Sequence, residues 1–433
     1  MSLHAPSVGR LAFEPDQAAE SASSPAQSRP HPSQRSARGL DWFVFCVADV
    51  QTGFGPFVSV YLTTQKWTQV DIGLVLSIGS IVGLIGQMPG GLIVDAARRE
   101  RLVAAVALSA ITASALAYAL LPVFPVIFAA ATLHAAASCV LGPCIAALSL
   151  GLVGYAGVGA RLGRNARFAS LGNGIAAAAM GALGYVFSAH AVFFVTAALL
   201  IPTLFALSHI QPHEINVQLA HGGDSSGKPE KSRTDFRLLL RQRPLFLLAG
   251  CIALFHMANA AMLPLMGSVL TTRSGDWATV LIAACIVVPQ GVVALISPWV
   301  GRQAEIWGRR VFLMAAFTAL ALRGILFATV ADPAMLVVVQ LLDGITAASL
   351  GVMVPLIIAD VSRGTGHFSL AQGIVGTAVG IGASISPTLA GYLSDQFGSQ
   401  VAFFGLAGIA AVGLAAVATI LPETRPAIPA RTP

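Results

Sequence analysis

The chain has 433 residues, of which 56% are hydrophobic and only 10% charged, whereas soluble domains carry about a quarter charged residues; a water-soluble globule is excluded. The net charge of +6 is explained below by the placement of the basic residues, so no nucleic-acid partner is expected. No phosphate-binding loop, metal cluster or nucleophile–base arrangement is visible, and neither an enzyme nor a cofactor or metal is expected.

Residues 1–40 are rich in Ser, Pro, Ala and Gln and lack an apolar core segment, which predicts a disordered tail, not a signal peptide. Twelve apolar runs follow, at about 41–63, 70–94, 101–121, 123–152, 168–188, 191–209, 244–271, 278–300, 309–331, 333–359, 368–393 and 400–421. Each is close to the ~20 residues that a helix needs to cross a bilayer. A β-barrel would show alternating ten-residue segments instead. The expected fold is an all-α membrane protein of twelve transmembrane helices in two pseudo-symmetric six-helix bundles, 41–209 and 244–421, with a linker at 210–243 and a tail at 422–433. The end of the linker, Thr234 to Arg243, fits either a short basic amphipathic helix or a solvated connection.

Of the 25 lysines and arginines, Lys66 and Arg273 fall in odd-numbered loops and Arg323 inside a span; the rest lie in the tails and even-numbered loops. By the positive-inside rule both termini are expected in the cytoplasm of a bacterial cell, with the chain in its inner membrane. The five cysteines all sit in apolar runs and their number is odd, so buried, inert thiols are expected.

The first span contains ADVQTGFGPF, residues 48–57. An Asp at a bilayer centre costs roughly 2.5–3.5 kcal/mol, so Asp49 calls for a reason. Gln51 lies two residues on, some 200° round a helix, and cannot share its face. A shift of 208 residues lays Pro264 on Pro56, Asn259 on Gln51 and Thr271-Thr272 on Thr63-Thr64. That register turns Gln51 to a central cavity together with His256 and Asn259, and Asp49 into helix packing. A local slip would instead put Asp49, Thr52, Gly53 and Pro56 on the cavity. After the second span of each half, GLIVDAARRER (91–101) matches GRQAEIWGRRV (301–311), and Gly184-Tyr185 matches Gly391-Tyr392. Parallel six-helix repeats around a midplane site are the plan of a rocking transporter.

Those two loops carry a family resemblance. Gly91, Asp95 and Arg99, and again Gly301, Glu305, Gly308, Arg309 and Arg310, resemble the loop signature of the major facilitator superfamily. The first copy departs from it, with Arg98 in place of the usual Gly and Ala96 in place of a basic residue. The resemblance implies that Asp95 latches span 2 to the start of span 11 and stabilises the outward-facing state. It also implies that spans 1, 4, 7 and 10 line the cavity. Span 11, GIVGTAVGIGASISPTLAG (373–391), has a spacing similar to the antiporter motif, which that subgroup carries on span 5; there Tyr185 stands in place of a Gly. Tight packing of small residues explains the same spacing. Span 4 has Ala131 where proton-coupled members carry a basic residue, and His134 three positions on.

An ionisable residue inside a membrane is a functional candidate by default. Asp49, His134, His256 and Asp343 fall one each on spans 1, 4, 7 and 10. The candidate solute cavity is therefore Gln51, His134, His256, Asn259, Gln340 and Asp343, and the candidate proton-coupling groups are Asp49, His134, His256, Asp343 and Arg323. Arg323 and Asp343 reach similar depth on adjacent spans, which predicts an ion pair, either functional or simply holding two helices in register. Asp360, Arg363 and His367 in the 359–373 loop could join Arg161, Arg164 and Arg167 in a gate, or stand solvated. The expected function is secondary transport of a small organic solute by alternating access, coupled to protons and directed to efflux, by a monomer. Uptake of an organic metabolite or iron chelate is the alternative, and a non-transporting receptor on the same scaffold is the alternative of another class.

Overall fold

The computed structural model describes residues 32–52, 57–186, 189–223, 237–274 and 278–425. Among them every regular element is helical. The first half comprises α1 (Gln34–Thr52), α2 (Phe57–Thr64), α3 (Gln69–Ile85), α4 (Gln87–Ala96), α5 (Glu100–Leu120), α6 (Phe124–Val186), α7 (Ala189–Ala198) and α8 (Leu200–His209). A 3-10 turn (Pro212–Glu214) and the short helices α9 (Val217–Ala220) and α10 (Arg237–Leu240) belong to the linker. The second half comprises α11 (Arg243–Asn259), α12 (Met262–Ser274), α13 (Ala278–Trp307), α14 (Arg309–Thr329), α15 (Pro333–Val339), α16 (Leu341–Ser362), α17 (Phe368–Phe397) and α18 (Ser399–Thr419).

Nine helices among the described residues are long and apolar enough to cross a membrane, or ten if α3 and α4, bent by 50° at Gly86, form one span. One of these, α6, covers two of the predicted spans, and α1 and α2 flank residues 53–56 of another; twelve passes are consistent with this count. Boundaries differ from the sequence expectation at several points, α13 running to Trp307 and α17 to Phe397, and two of the differences have a clear local cause. Helix α1 starts at Gln34, ahead of 41, because the Ser33 hydroxyl accepts the Ser36 N–H at 3.2 Å and caps an extra polar turn. The loop expected at 153–167 is helix, broken only at Gly154, whose φ of +64° suits glycine. The glycines that read as breakers there are contact points, as described below.

Buried apolar side chains form two clusters. One gathers Leu40, Phe43, Tyr61, Leu108, Ile111 and Phe193 from the first half. The other gathers Phe255, Phe317, Leu356, Phe403 and Leu406 from the second, joined by Leu150, Val158 and Leu162 of α6. The outward faces are as apolar as the interior: Leu295, Ile201 and Val70 are more than two-thirds exposed, the surface a bilayer solvates.

Candidate functional site

A cavity of about 420 Å³ opens in the first half between α1, α3, α5 and the first arm of α6. Gln51, Gln87, Tyr118, His134, Ser138 and Cys139 give it its polar lining. Gln51 Nε2 donates to the Ser138 carbonyl at 3.3 Å, so α1 and α6 present Gln51 and His134 to one space. The side chain of Asp49 lies outside the described residues, although its backbone belongs to α1. His256 does not line this cavity; it is half-buried on α11, edge-on to Phe255 at 5.5 Å.

The second half carries its polar groups differently. Arg323 on α14, only 2% exposed, forms an ion pair with Asp343 and donates to Asn259 Oδ1 on α11. Its Nη1 lies 3.5 Å from Gln340 Oε1 and its Nη2 3.4 Å from Met262 Sδ. Gln340, fully buried at the break between α15 and α16, donates to the Cys285 carbonyl of α13 at 3.2 Å. One guanidinium thus ties three spans together, as a buried cation must be paired and hydrogen-bonded to be tolerated, and Gln340 extends the network to α13. Asp343 is 27% exposed, so the carboxylate, not the arginine, is the side of the pair that a proton or solute can reach. Four of the sequence candidates (Asn259, Arg323, Gln340 and Asp343) meet here.

The halves approach each other at the end of the bundle where the basic loops gather. A methyl group on Gly91 would run into the Ser369 carbonyl oxygen of α17, and one on Gly301 into the Gly159 carbonyl oxygen of α6. The two contacts are related by the same repeat, and both require glycine. At the first, Asp95 accepts from the Ser369 N–H at 2.9 Å and the Leu370 N–H at 2.7 Å. These are free donors of the first turn of α17, which begins at Phe368. At the second, Glu305 lies against Gly159, five residues past the break in α6, and accepts instead from Arg309 at 3.1 and 3.2 Å.

Arg309 is 2% exposed and also pairs with Asp360 at 3.1 Å. Gly308, at φ +91°, turns the chain into α14, and Glu423 accepts the N–H groups of Arg309 and Arg310 at 2.9 and 3.1 Å. Burial by itself would raise the Glu423 carboxyl, but these donors, the Arg425 N–H and the Arg309 charge hold it below the ordinary carboxylate range. Arg99, grouped with Asp95 by the motif, is instead exposed and makes no ion pair among the described residues. Its neighbour Glu100 is buried and lies 3.1 Å from His221 Nε2 of the linker.

The gate expected from Asp360, Arg363 and His367 with Arg161, Arg164 and Arg167 is not assembled. Asp41, 2% exposed, takes both Arg161 at 2.6 Å and Arg164 at 2.5 Å, while Asp360 is held by Arg309 and Thr424. Arg363 lies over the Tyr155 ring at 4.6 Å. The linker crosses this end: the Phe368 N–H donates to the His221 carbonyl at 3.2 Å, the Gly364 N–H to the Gly222 carbonyl at 2.6 Å, and the Asn216 N–H to the Gly151 carbonyl at 3.0 Å. Asp41, Glu100 and His221 escaped the sequence reading. Asp41 opens a span and resembles an ordinary interface charge, and the Glu100–His221 pair has no periodic signal. No cluster of potential metal ligands occurs among the described residues.

The family model described as Major Facilitator Superfamily matches residues 42–299 and 276–433. The chain belongs to this superfamily. Uncharacterised MFS-type transporters from two strains of Mycobacterium tuberculosis, CDC 1551 / Oshkosh and ATCC 25618 / H37Rv, are 38% identical to it over 395 residues, covering 90% of this chain and 94% of theirs. Among solved structures, the human organic anion transporter MFSD10 (TETRAN) superposes with a TM-score of 0.65 at 14% identity, over 88% of this chain and 99% of its own. The transporter FucP in the outward conformation gives 0.64 at 13%, over 88% and 97%. At those identities the likeness is one of fold.

Proposed function

We propose that this superfamily member is a proton-coupled secondary transporter that exports a small organic solute by antiport across a bacterial inner membrane, with both termini in the cytoplasm. The observation that carries the reading is the half-exposed ion pair of Asp343 with a fully buried Arg323, which also holds Asn259 beside the half-buried His256. Protonation of Asp343 removes the counter-charge of Arg323, which then turns further to Asn259 and Gln340, and a solute held by the carboxylate is released. That rearrangement couples proton occupancy to the packing of three spans. The contacts at Gly91, Asp95 and Gly301 support an outward-facing state in which the basic, cytoplasmic end is shut, with the linker strapped across it. The cavity lined by Gln51 and His134 then receives the solute. The orientation rests on the positive-inside distribution, and a six-plus-six division into 41–209 and 244–421 fits the two apolar clusters.

The test is reconstitution into liposomes carrying an internal pH-sensitive dye and a preformed pH gradient, followed by addition of small organic solutes, one at a time. Antiport predicts that a transported solute dissipates the gradient with protons moving opposite to it, and that Asp343→Asn abolishes the proton signal. Protons moving with the solute would indicate uptake by symport. Solute binding seen as a thermal shift, without gradient-dependent flux, would favour a receptor. In a double-mutant cycle, simple addition of the Arg323→Ala and Asp343→Ala effects on flux would remove the pair from the mechanism.

A further inference from the structure

We propose that the cleft between α1 and α8 at the basic end is a binding site for an anionic phospholipid, with Arg35 and Arg38 on the phosphate and Trp42 and Phe205 against the acyl chains. The cleft has a volume of about 600 Å³. Arg35, Arg38, Trp42 and Cys46 follow one another at three- and four-residue steps along a single stripe of α1, and Pro202, Phe205, Ala206 and His209 do the same on α8. Gly39 lets the stripes meet, since a Cβ there would stand 2.9 Å from His209 Cβ.

The charge in this cleft is uncompensated. Arg35 and Arg38 are exposed and make no ion pair or hydrogen bond among the described residues. The nearest acids are taken: Asp41 by Arg161 and Arg164 on the other side of α1, and Glu214 by the backbone and hydroxyl of Ser33, each at 3.1 Å. Below the arginines the cleft turns apolar. Trp42 is 55% exposed and Phe205 67% exposed, and Trp42 is fixed edge-on between Phe45 and Phe168. A cationic rim above an aromatic wall, at the level where helices leave the membrane, matches a headgroup phosphate above its acyl chains. A soluble anion would use only the rim, an uncharged lipid only the wall, and a zwitterionic lipid would bring its own cation to the two arginines. The two together select a lipid with net negative charge.

The test uses the full-length protein in neutral detergent, with thermal unfolding followed as dioleoylphosphatidylglycerol or dioleoylphosphatidylcholine is added. The expected result is a rise in Tm with the anionic lipid alone. At about fivefold per arginine, R35Q/R38Q should weaken the apparent affinity for it roughly thirtyfold. R241Q/R243Q, which removes two exposed arginines elsewhere at the same end, should leave that affinity unchanged. If the double variant does not fold, R38Q alone should show about a fivefold loss. Four results would overturn the site: an unchanged response in the Arg35 and Arg38 variants, an equal loss in the control pair, an equal response to phosphatidylcholine, or a matching shift from glycerol phosphate without chains.

Discussion

The two halves follow one plan and use their polar residues differently. At the basic end, Asp95 and Glu305 stand four residues after glycines that touch the opposite half in the same way. Asp95 meets the open first turn of α17 and binds two backbone N–H groups across the interface. Glu305 meets α6 at Gly159, beyond the first turn after the break at Gly154, and folds back onto Arg309 of its own half. At mid-depth the first half leaves an open cavity with Gln51 and His134, whereas the second packs Arg323, Asp343, Asn259 and Gln340 into one buried node. The same motif therefore performs different work according to what the partner helix offers. A carboxylate links the halves only where free helical N–H groups face it.

The largest contrast should appear at mid-depth. Asp343→Ala leaves a buried guanidinium without its counter-charge and should cost about 3–5 kcal/mol, seen as a large drop in the temperature of unfolding in detergent. His134→Ala, at the edge of an open cavity, should cost about 1 kcal/mol or less while lowering the affinity for the solute. Comparable destabilisation by the two would erase the distinction between node and cavity.

Next comes the pair of latches. Two hydrogen bonds to a charged acceptor make Asp95→Asn worth roughly 2–3 kcal/mol of interface, a change of about 30- to 150-fold in the ratio of closed to open basic end. Glu305, 38% exposed and paired within its own half, should shift that ratio by no more than about threefold when changed to Gln. Labelling of interface cysteines from the basic side reports the ratio, and equal effects would show that the motif, not the helix start, decides.

The smallest effect concerns Glu423, which caps α14 in the second half only. Because its carboxyl is held below its ordinary value in the folded state, its contribution is fully present above the unfolded value. That contribution is lost as pH falls through the lower folded one. Glu423→Gln should lower Tm by about 2 °C or less at pH 7, and the difference from the parent should vanish once the pH falls below the depressed folded-state value. A difference that persists in acid would assign the effect to shape and not to charge.

Much of this was legible in the sequence where local pattern carries the information. The repeated Gly-x-x-x-acid loops, the twelve apolar runs and the depth of Arg323 relative to Asp343 all follow from spacing. What stayed hidden depends on contacts between distant segments. Gly157, Gly159 and Gly163 look like loop residues, yet they are helical, and a Cβ on Gly163 would strike the Ser297 carbonyl of α13 as one on Gly159 would meet that of Gly301. Asn259, aligned with Gln51 by the repeat, is drawn to a guanidinium that the first half lacks. Glu100 and His221 are brought together by the path of the linker, which no periodicity encodes.

The most direct test of alternating access with an asymmetric latch is a distance measurement across the basic end. Spin labels at exposed Leu102 of the first half and exposed Ile306 of the second would report it, and the five native cysteines are buried. The account predicts one short distance in the parent protein, a second longer population in Asp95→Asn, and the parent distribution in Glu305→Gln. A distribution left unchanged by Asp95→Asn, or widened by Glu305→Gln instead, would contradict it.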